Sequence, residues 1–155
     1  KWDRAQMFYN NKAYTAALEE YGPLYPLLKH KPEFLFEAAQ SLSKTGQYEK
    51  ANEYLERAVL LSSDPMLYYV MAKNEQCLGE YRQAEKHLLH AIDILPERIY
   101  PYYLLMNLYT EPSYFQPAKL KMAIDSVLTK KPKVESSAIK EMKEKARSML
   151  NNTSI

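Results

Sequence analysis

The sequence predicts an all-α fold, a right-handed superhelical solenoid of helix-turn-helix repeats with a C-terminal capping helix. One group of residues recurs after 33 positions, first as Gly46, Tyr48, Ala51, Leu55 and Ala58, then as Gly79, Tyr81, Ala84, Leu88 and Ala91. A repeat of this length is typical of arrays whose units are pairs of antiparallel helices. Apolar residues also follow the i, i+3, i+4, i+7 spacing of a helix with one buried face, most clearly as Leu35, Ala38, Ala39 and Leu42.

The first unit, residues 1–31, is expected to begin with a helix over about 2–10. A second helix is expected after it, because three residues precede the buried residues of the next unit's second helix by 34 positions. These residues are Tyr14, Ala17 and Tyr21. Pro23 and Pro26 lie inside this helix. Since proline removes a backbone hydrogen bond, we expect a kink or a break there.

The second unit, 32–64, and the third, 65–98, carry the clearest repeat. The second unit should contain helices over 33–45 and 48–61, and the third should contain helices over 66–78 and 81–95. Gly46 is expected to end the first of these helices, because glycine adopts positive φ without steric cost.

The fourth unit, 99–131, departs from the pattern. Its first helix should cover 101–109, but the following turn lacks glycine, and Phe115 and Ala118 are interpreted as the Tyr…Ala pair of a second helix that ends near Lys130. The capping helix over 137–150 should bury one apolar face, as the end of a solenoid requires. The residues of this face are Ile139, Met142, Ala146 and Met149. Residues 1–150 are thus predicted to form one domain, followed by a frayed tail over 151–155.

Composition excludes several classes of protein. The net charge of +2 is too small to favour nucleic-acid binding by bulk electrostatics. No apolar run approaches the roughly 18–20 residues that span a bilayer, and a single cysteine, Cys77, excludes an internal disulfide. The chain begins without methionine, and we interpret it as a piece of a longer protein.

No catalytic or metal-binding constellation emerges from the sequence. His87 and His90 lie at i, i+3, but no third ligand accompanies them. Glu33 and Glu37 lie at i, i+4 and are interpreted as ordinary surface acids, although paired carboxylates would be needed by an enzyme that acts on glycan. We therefore predict no enzymatic activity, no cofactor and no metal.

These motifs resemble those of the tetratricopeptide repeat (TPR) family. The resemblance rests on the small residues Ala5, Ala39 and Ala72, on the two Gly-x-Tyr turns with the alanines that follow them, and on the closing prolines Pro65 and Pro96. It is strong over 32–98 and weaker over 1–31 and 99–130. The resemblance implies an interaction scaffold that binds a partner in a concave groove lined by the first helix of each pair.

The repeat register predicts which side chains face that groove. Positions one, four and eight of each first helix should point inward. In the second to fourth units these positions hold Glu33, Phe36 and Gln40, then Met66, Tyr69 and Lys73, then Tyr100, Tyr103 and Asn107, and Trp2 and Gln6 begin the stripe. Phe36, Tyr69 and Tyr103 would form a ladder, with Gln40, Lys73 and Asn107 one helical turn deeper. Aromatic rings beside amide and ammonium donors suit an extended peptide or a stacked sugar. The alternative is that the tyrosines pack between helices.

The last third of the chain is rich in bases, which are Lys119, Lys121, Lys130, Lys131, Lys133, Lys140, Lys143, Lys145 and Arg147. A solvated cap is one interpretation. The other is a salt-sensitive contact with an anionic membrane surface or a glycan.

A narrower resemblance involves Pro96–Leu105 and Val127–Ser136. These segments are similar to the soluble C-terminal tail of Bacteroidetes O-antigen ligase or polymerase-like membrane proteins. The resemblance implies a non-catalytic interaction module that belongs to a bacterial cell-envelope protein and is tethered to the inner membrane, on a side that is not specified. The alternative is a structural spacer or a dimerisation module without a peptide ligand.

Overall fold

The chain folds into α-helices joined by short turns, as its spacing predicts. The computed structural model describes residues 1–152. The helices of this part of the chain are α1 (Trp2–Asn10), α2 (Tyr14–Leu28), α3 (Pro32–Lys44), α4 (Tyr48–Ala58), α5 (Met66–Cys77), α6 (Tyr81–Ile94), α7 (Tyr100–Tyr109), α8 (Pro117–Thr129) and α9 (Ser137–Asn152), with a 3₁₀ helix at Pro112–Tyr114.

The chain divides into two compact units. The N-terminal unit, Lys1–Glu80, contains α1 to α5, and the C-terminal unit, Tyr81–Ile155, contains α6 to α9. Within each unit, consecutive helices pack on one another, so each unit is built from helical hairpins. The number of domains stays a prediction.

Small side chains allow the helices of the N-terminal unit to approach closely. Six of its alanines are fully shielded from solvent and a seventh, Ala72, is 2% exposed; the six are Ala5, Ala17, Ala38, Ala39, Ala51 and Ala58. Larger side chains fill the space between them, among them Phe34, Leu35 and Leu55. The C-terminal unit buries Ala84, Leu88 and Ala91 on α6. The recurring alanines and leucines of the sequence are therefore core positions.

The two repeat glycines close their helices with the same pair of backbone hydrogen bonds: the glycine N–H donates to the carbonyl three residues back, and the next N–H donates to the carbonyl five residues back. Gly46 has φ +84°, and the N–H of Gln47 donates to Leu42 O over 2.8 Å. Gly79 has φ +77°, and the N–H of Glu80 donates to Glu75 O, also over 2.8 Å. This arrangement satisfies the last carbonyls of a helix and reverses the chain, and it requires a residue in the left-handed region.

The first hairpin uses the same turn with a lysine in place of glycine. Lys12 has φ +61°, and the N–H of Ala13 donates to Phe8 O over 2.8 Å. Lys12 precedes Gly46 by 34 positions, which is the spacing of the apolar residues in these two units. A search for glycine alone therefore misses the equivalent turn at Lys12.

Several boundaries differ from the sequence-based expectations. Helix α2 is not broken, because it continues through Pro23 and Pro26 while Tyr21 and Leu24 remain packed in the core. Helix α4 ends at Ala58 rather than at Leu61, since the amides of Leu60 and Leu61 bond three residues back instead of four.

The register expected for the fourth unit is wrong. Phe115 is 50% exposed and Ala118 is also exposed, so neither occupies a core position. Helix α8 begins at Pro117 and buries Leu120, Ala123, Ile124 and Val127. The 3₁₀ helix between α7 and α8 lengthens the connection and shifts the buried stripe toward the C-terminus.

Helix α9 caps the C-terminal unit and packs on α8 and α7. Ala146 is fully buried, and the other three members of the expected apolar face are half-buried. Lys143 does not belong to the solvated face. Its ammonium donates to Val127 O, Leu128 O and Lys130 O over 2.8 to 3.3 Å and so caps the C-terminal end of α8. The helix extends to Asn152, so Asn151 and Asn152 are helical, while residues 153–155 of the expected tail lie outside the described residues.

Exchanging lysine and glycine at the equivalent turns should change stability in opposite directions. A non-glycine residue in the left-handed region is strained by roughly 1–2 kcal/mol, part of which the entropy of glycine offsets. Lys12→Gly should therefore raise the free energy of unfolding by about 1 kcal/mol, and Gly46→Lys should lower it by about the same amount. Urea denaturation followed by the fluorescence of Trp2 measures both changes.

The control is Lys44→Gly in the last turn of α3, where the backbone is helical. Glycine at a helical position is destabilising by roughly 1 kcal/mol. If Lys12→Gly and Lys44→Gly behaved alike, strain at Lys12 would be refuted.

Candidate functional site

A surface pocket lies where α3 and α5 begin, within the N-terminal unit. Its volume is about 280 Å³, and it is lined by Pro32, Glu33, Phe36, Glu37, Asp64, Met66 and Leu67. Three of these residues, Glu33, Phe36 and Met66, occupy positions that the repeat register predicts to face the groove. The register did not assign groove positions to the other four, although the sequence analysis named Glu37 as a surface acid.

Local hydrogen bonds set the far wall of this pocket. The Oδ1 atom of Asp64 accepts from the N–H of Met66 over 3.0 Å, and the N–H of Asp64 donates to Ser62 Oγ over 3.2 Å. An acidic side chain just before a helix satisfies one of its unpaired amides and interacts favourably with the positive end of its dipole. The same contact fixes the Asp64 carboxylate at the start of α5.

Glu37 is the centre of a hydrogen-bond network that joins α1, α2 and α3. Its Oε1 atom accepts from Trp2 Nε1 and from the Tyr21 hydroxyl, and its Oε2 atom accepts from Gln6 Nε2, each over 3.0 Å. Hydrogen bonds to a charged group contribute roughly 1.5–3 kcal/mol, more than neutral ones. One carboxylate therefore ties three helices together at the edge of the pocket.

Aromatic rings surround this carboxylate. The Phe34 ring meets the Trp2 ring edge to face with centroids 6.0 Å apart, and it meets the Tyr21 ring in the same way at 5.5 Å. Burial raises the pKa of the Tyr21 hydroxyl, and the charge of Glu37 raises it further. Tyr21 therefore stays protonated and acts as a donor across the physiological pH range.

The interpretation of Glu37 as an ordinary surface acid is wrong, because its carboxylate is occupied by three donors. Glu33, its partner in the i, i+4 pair, is exposed. Sequence spacing alone cannot separate the two, since the donors come from α1 and α2. The register did place Trp2 and Gln6 on the same face as Glu33, which was the only available signal.

The four predicted site residues of the N-terminal unit have different environments. Phe36 is half-buried at the pocket, and Gln40 is half-buried and hydrogen-bonded to the Tyr9 side chain. Lys73 is exposed. Tyr69 is only 3% exposed, which favours the packing alternative for this residue. Of the two predicted aromatic residues in this unit, Phe36 is therefore the accessible one.

The two predicted site residues of the C-terminal unit lie on α7. Tyr103 is half-buried and stacks on Tyr100, with ring centroids 6.4 Å apart, and Lys145 Nζ lies 5.6 Å from the Tyr103 ring centroid. Asn107 is half-buried, and its Oδ1 atom, shielded from solvent, accepts no hydrogen bond within the described residues. Whether the six residues act as one binding surface stays a prediction.

A second carboxylate network, absent from the sequence-based prediction, organises the C-terminal unit. Glu85 on α6 accepts from the hydroxyls of Tyr109 and Tyr114 over 2.6 and 2.5 Å and from Lys119 Nζ over 2.9 Å. Burial alone would raise the pKa of Glu85, but these three hydrogen bonds outweigh it and lower the pKa below its ordinary value. The network fixes the 3₁₀ helix and the start of α8 to α6.

Two buried amides connect α4 and α5 in the N-terminal unit. Asn74 Nδ2 donates to Asn52 Oδ1 over 2.8 Å, and Asn52 Nδ2 donates to Met71 O over 3.3 Å. The exposed fractions of Asn52 and Asn74 are 7% and 2%. Buried amides are costly unless they are paired, so these contacts are structural rather than available to a ligand.

Four of the nine basic residues in the last third make the following contacts within the C-terminal unit. Lys119 pairs with Glu85, and Lys143 caps α8. Lys130 Nζ lies 4.9 Å from the Tyr102 ring centroid, and Lys145 lies over Tyr103. The basic cluster is therefore partly structural, and its contact with a membrane surface or glycan stays a hypothesis.

The remaining candidates are the cysteine and the residue types that bind metals. Cys77 is an exposed free thiol, and its hydrogen bond with the Tyr48 side chain raises the pKa of that hydroxyl. Within residues 1–152 no group of three or more His, Cys, Asp or Glu side chains is arranged to hold a metal ion. No helix in the same range combines the length and the apolar character needed to cross a membrane.

Comparison with protein families identifies the repeat. The family described as "Anaphase-promoting complex, cyclosome, subunit 3" matches residues 10–91, more than half of the chain. The chain belongs to this family. The matched range includes both glycine turns and extends to Ala91 of the third unit. No curated protein shows significant sequence similarity to the chain.

Solved structures confirm the predicted fold class. MamA from Desulfovibrio magneticus RS-1 is 17% identical with a TM-score of 0.74, and the match covers 99% of this chain and 94% of MamA. The C-terminal part of a TPR repeat-containing protein from Cytophaga hutchinsonii is 13% identical with a TM-score of 0.75, over 97% of this chain and 58% of that one. The type III secretion chaperone SycD from Yersinia enterocolitica was solved with a peptide of the translocator YopD. It is 15% identical with a TM-score of 0.57, and the match covers 96% of this chain and 91% of SycD. The chain is therefore a TPR-like repeat protein.

Neutralising Glu37 should destabilise the N-terminal unit. In Glu37→Gln one side-chain oxygen becomes an NH₂ group, which cannot accept a hydrogen bond, and the remaining acceptor is uncharged. We expect a loss of about 2–3 kcal/mol in the free energy of unfolding. Trp2 is the only tryptophan and donates to Glu37, so its fluorescence during urea denaturation reports on this unit. Glu33→Gln is the matched control and should stay within about 0.5 kcal/mol; equal losses in the two variants would contradict the network.

The Glu85 network should make the C-terminal unit sensitive to acid. Because folding lowers the pKa of Glu85, the stabilisation is present above its unfolded value of about 4.3 and is lost as the pH falls through the lower folded value. Glu85→Gln should cost about 2 kcal/mol at pH 7, and this difference should shrink below about pH 4. Urea titrations followed by the NMR signals of the buried Ile124 methyl groups measure it.

The control for this prediction is Glu141→Gln on the exposed surface of α9. It should leave stability unchanged at both pH values. A Glu85→Gln difference that stayed constant down to pH 3 would argue against a charge-dependent role for Glu85.

Proposed function

We propose that this TPR-like chain is a non-catalytic protein-interaction module that binds an extended partner segment on the pocket side of its N-terminal unit. The observation that carries the proposal is the half-buried Phe36 ring at a pocket between the starts of α3 and α5. Gln40 and Lys73 supply polar groups on the same two helices.

The size of the pocket favours a side-chain anchor. Its volume of about 280 Å³ lies below the range of roughly 300–1,000 Å³ that is typical of small-molecule sites. One aromatic or aliphatic side chain of a partner would fill much of it. Partly exposed aromatic groups at such positions contribute a large share of the binding energy in protein interfaces.

The comparisons support binding of a peptide without naming it. The SycD structure contains a peptide of the translocator YopD, and that chaperone shares the fold of this chain. For the present chain we propose Phe36, Gln40 and Lys73 as contact residues in the N-terminal unit. Tyr103 and Asn107 are proposed contacts in the C-terminal unit, while Tyr69 contributes packing.

The setting that we propose is the soluble part of a bacterial cell-envelope protein of the O-antigen ligase or polymerase type. The support is the resemblance of Pro96–Leu105 and Val127–Ser136 to the tails of those proteins. The sequence of the gene upstream of Lys1 tests this proposal. About ten encoded apolar spans, each long enough to cross a bilayer, would support it, and a secretion signal alone would refute it.

Truncating Phe36 should remove peptide binding. Panning a random dodecapeptide phage library on the chain should enrich peptides whose affinity falls at least about tenfold in Phe36→Ala, because an aromatic anchor contributes roughly 2 kcal/mol. Calorimetric titration of the enriched peptides measures the loss, and Trp2 fluorescence verifies that the variant is folded.

Phe115→Ala is the matched control, because Phe115 is 50% exposed and lies outside the pocket. It should bind as the parent chain does. The proposal fails if no peptide is enriched, or if the two phenylalanine variants lose the same affinity.

A further inference from the structure

The pocket of the N-terminal unit is acidic as well as apolar. Among the described residues that line it, three carry carboxylates, and none is Lys, Arg or His; the acids are Glu33, Glu37 and Asp64. Lys31 immediately precedes the first lining residue, Pro32, but does not line the pocket. The neighbourhood therefore concentrates negative charge around the Phe36 ring.

Helix dipoles reduce this charge but do not cancel it. The first residues of α3 and α5 lie at the pocket, and each helix N-terminus is equivalent to roughly +0.5 of an elementary charge. Three carboxylates against two such ends leave a net charge of about −2. The donors that hold Glu37 are an indole, an amide and a hydroxyl, so they stabilise its charge without neutralising it.

The apolar part of the lining lies beside these acids. Phe36 is half-buried and Met66 is 42% exposed, while Leu67 is 4% exposed and completes the wall. Lysine and arginine have aliphatic stems that cover apolar surface while their charged ends remain near polar groups. A cation that approaches the face of an aromatic ring gains a further attraction of about 0.5–1 kcal/mol at exposed sites.

We propose that this pocket selects a lysine or arginine side chain, flanked by an apolar residue, from an extended partner segment. The inference rests on the proposed function, because it names the chemistry of the segment that the interaction module binds. The cationic group would lie between Glu33 and Asp64, and its aliphatic stem would lie on Phe36. The apolar neighbour would contact Met66.

One segment of this chain has similar chemistry and defines the competing occupant. Lys131, Lys133 and Val134 are exposed in the connection between α8 and α9, so a second copy offers cations beside an apolar group. Lys130 of the same segment lies over the Tyr102 ring, so this cation is already engaged within its own chain. This observation favours a separate partner.

The test compares two charge-neutralised variants in the same phage selection. Glu33→Gln/Asp64→Asn removes two pocket charges while keeping similar shapes, and asparagine preserves the capping role at the start of α5. The control is Glu49→Gln/Asp93→Asn, in which both residues are exposed and neither lines the pocket. The starting library is random dodecapeptides, and the enriched peptides are titrated by calorimetry.

The peptides enriched on the parent chain should contain Lys or Arg beside an aliphatic residue well above library frequency. Their affinity for the pocket variant should fall about five- to tenfold near 20 mM salt and less than about twofold near 500 mM salt, because salt screens exposed charges. The control variant should stay within about twofold of the parent chain at both salt concentrations.

Three results would overturn the proposal, and they are distinguishable. Peptides that depend on Phe36 but lack a basic excess, or that bind the pocket variant unchanged, refute the basic specificity and leave the proposed function intact. The absence of any Phe36-dependent peptide refutes both. Self-association in sedimentation experiments that is lost both in the pocket variant and in Lys131→Glu/Lys133→Glu would assign the pocket to a second copy of the chain.

Discussion

The hairpin turn at positive φ is the constraint on which the rest of the structure depends. The same pair of backbone hydrogen bonds forms at Lys12, Gly46 and Gly79 and ends α1, α3 and α5. In the N-terminal unit the turns at Lys12 and Gly46 pair α1 with α2 and α3 with α4, and alanines allow these paired helices to pack closely. In the N-terminal unit this arrangement brings the starts of α3 and α5 to one pocket. The turns therefore determine where the pocket lies, and the side chains that line it determine its chemistry.

Each unit adds one carboxylate that accepts three donors. Glu37 joins α1 and α2 to α3, and Glu85 joins the 3₁₀ helix and α8 to α6. A charge removed from water is tolerable only when its acceptor sites are occupied, so each network must form as a whole. Glu37 also lines the pocket, so the side chain that holds three helices together borders the proposed binding site.

The fold was largely predictable because its signals are local. The spacing of the alanines and leucines predicted the helices of the second and third units to within three residues. Lys12 escaped notice because lysine gives no indication of positive φ, and α8 was placed in the wrong register because the 3₁₀ helix adds residues that no repeat pattern contains. The site was less predictable. The register placed Glu33, Phe36 and Met66 near each other, but the roles of Glu37, Glu85 and Asp64 depend on donors from other helices or on turn geometry.

The paired amides of Asn52 and Asn74 have a consequence for how the repeats assemble. The two hydrogen bonds form a directional relay, from the Asn74 amide to Asn52 and from Asn52 to Met71 O. An interface of alanine and leucine alone would tolerate sliding of one helix along its neighbour with little change in buried area. Sliding α5 by a single residue along α4 would break both links of the relay and leave polar groups unpaired in the core. The two hydrogen bonds therefore permit one alignment of α5 along α4 and exclude the alignments that are shifted by one residue.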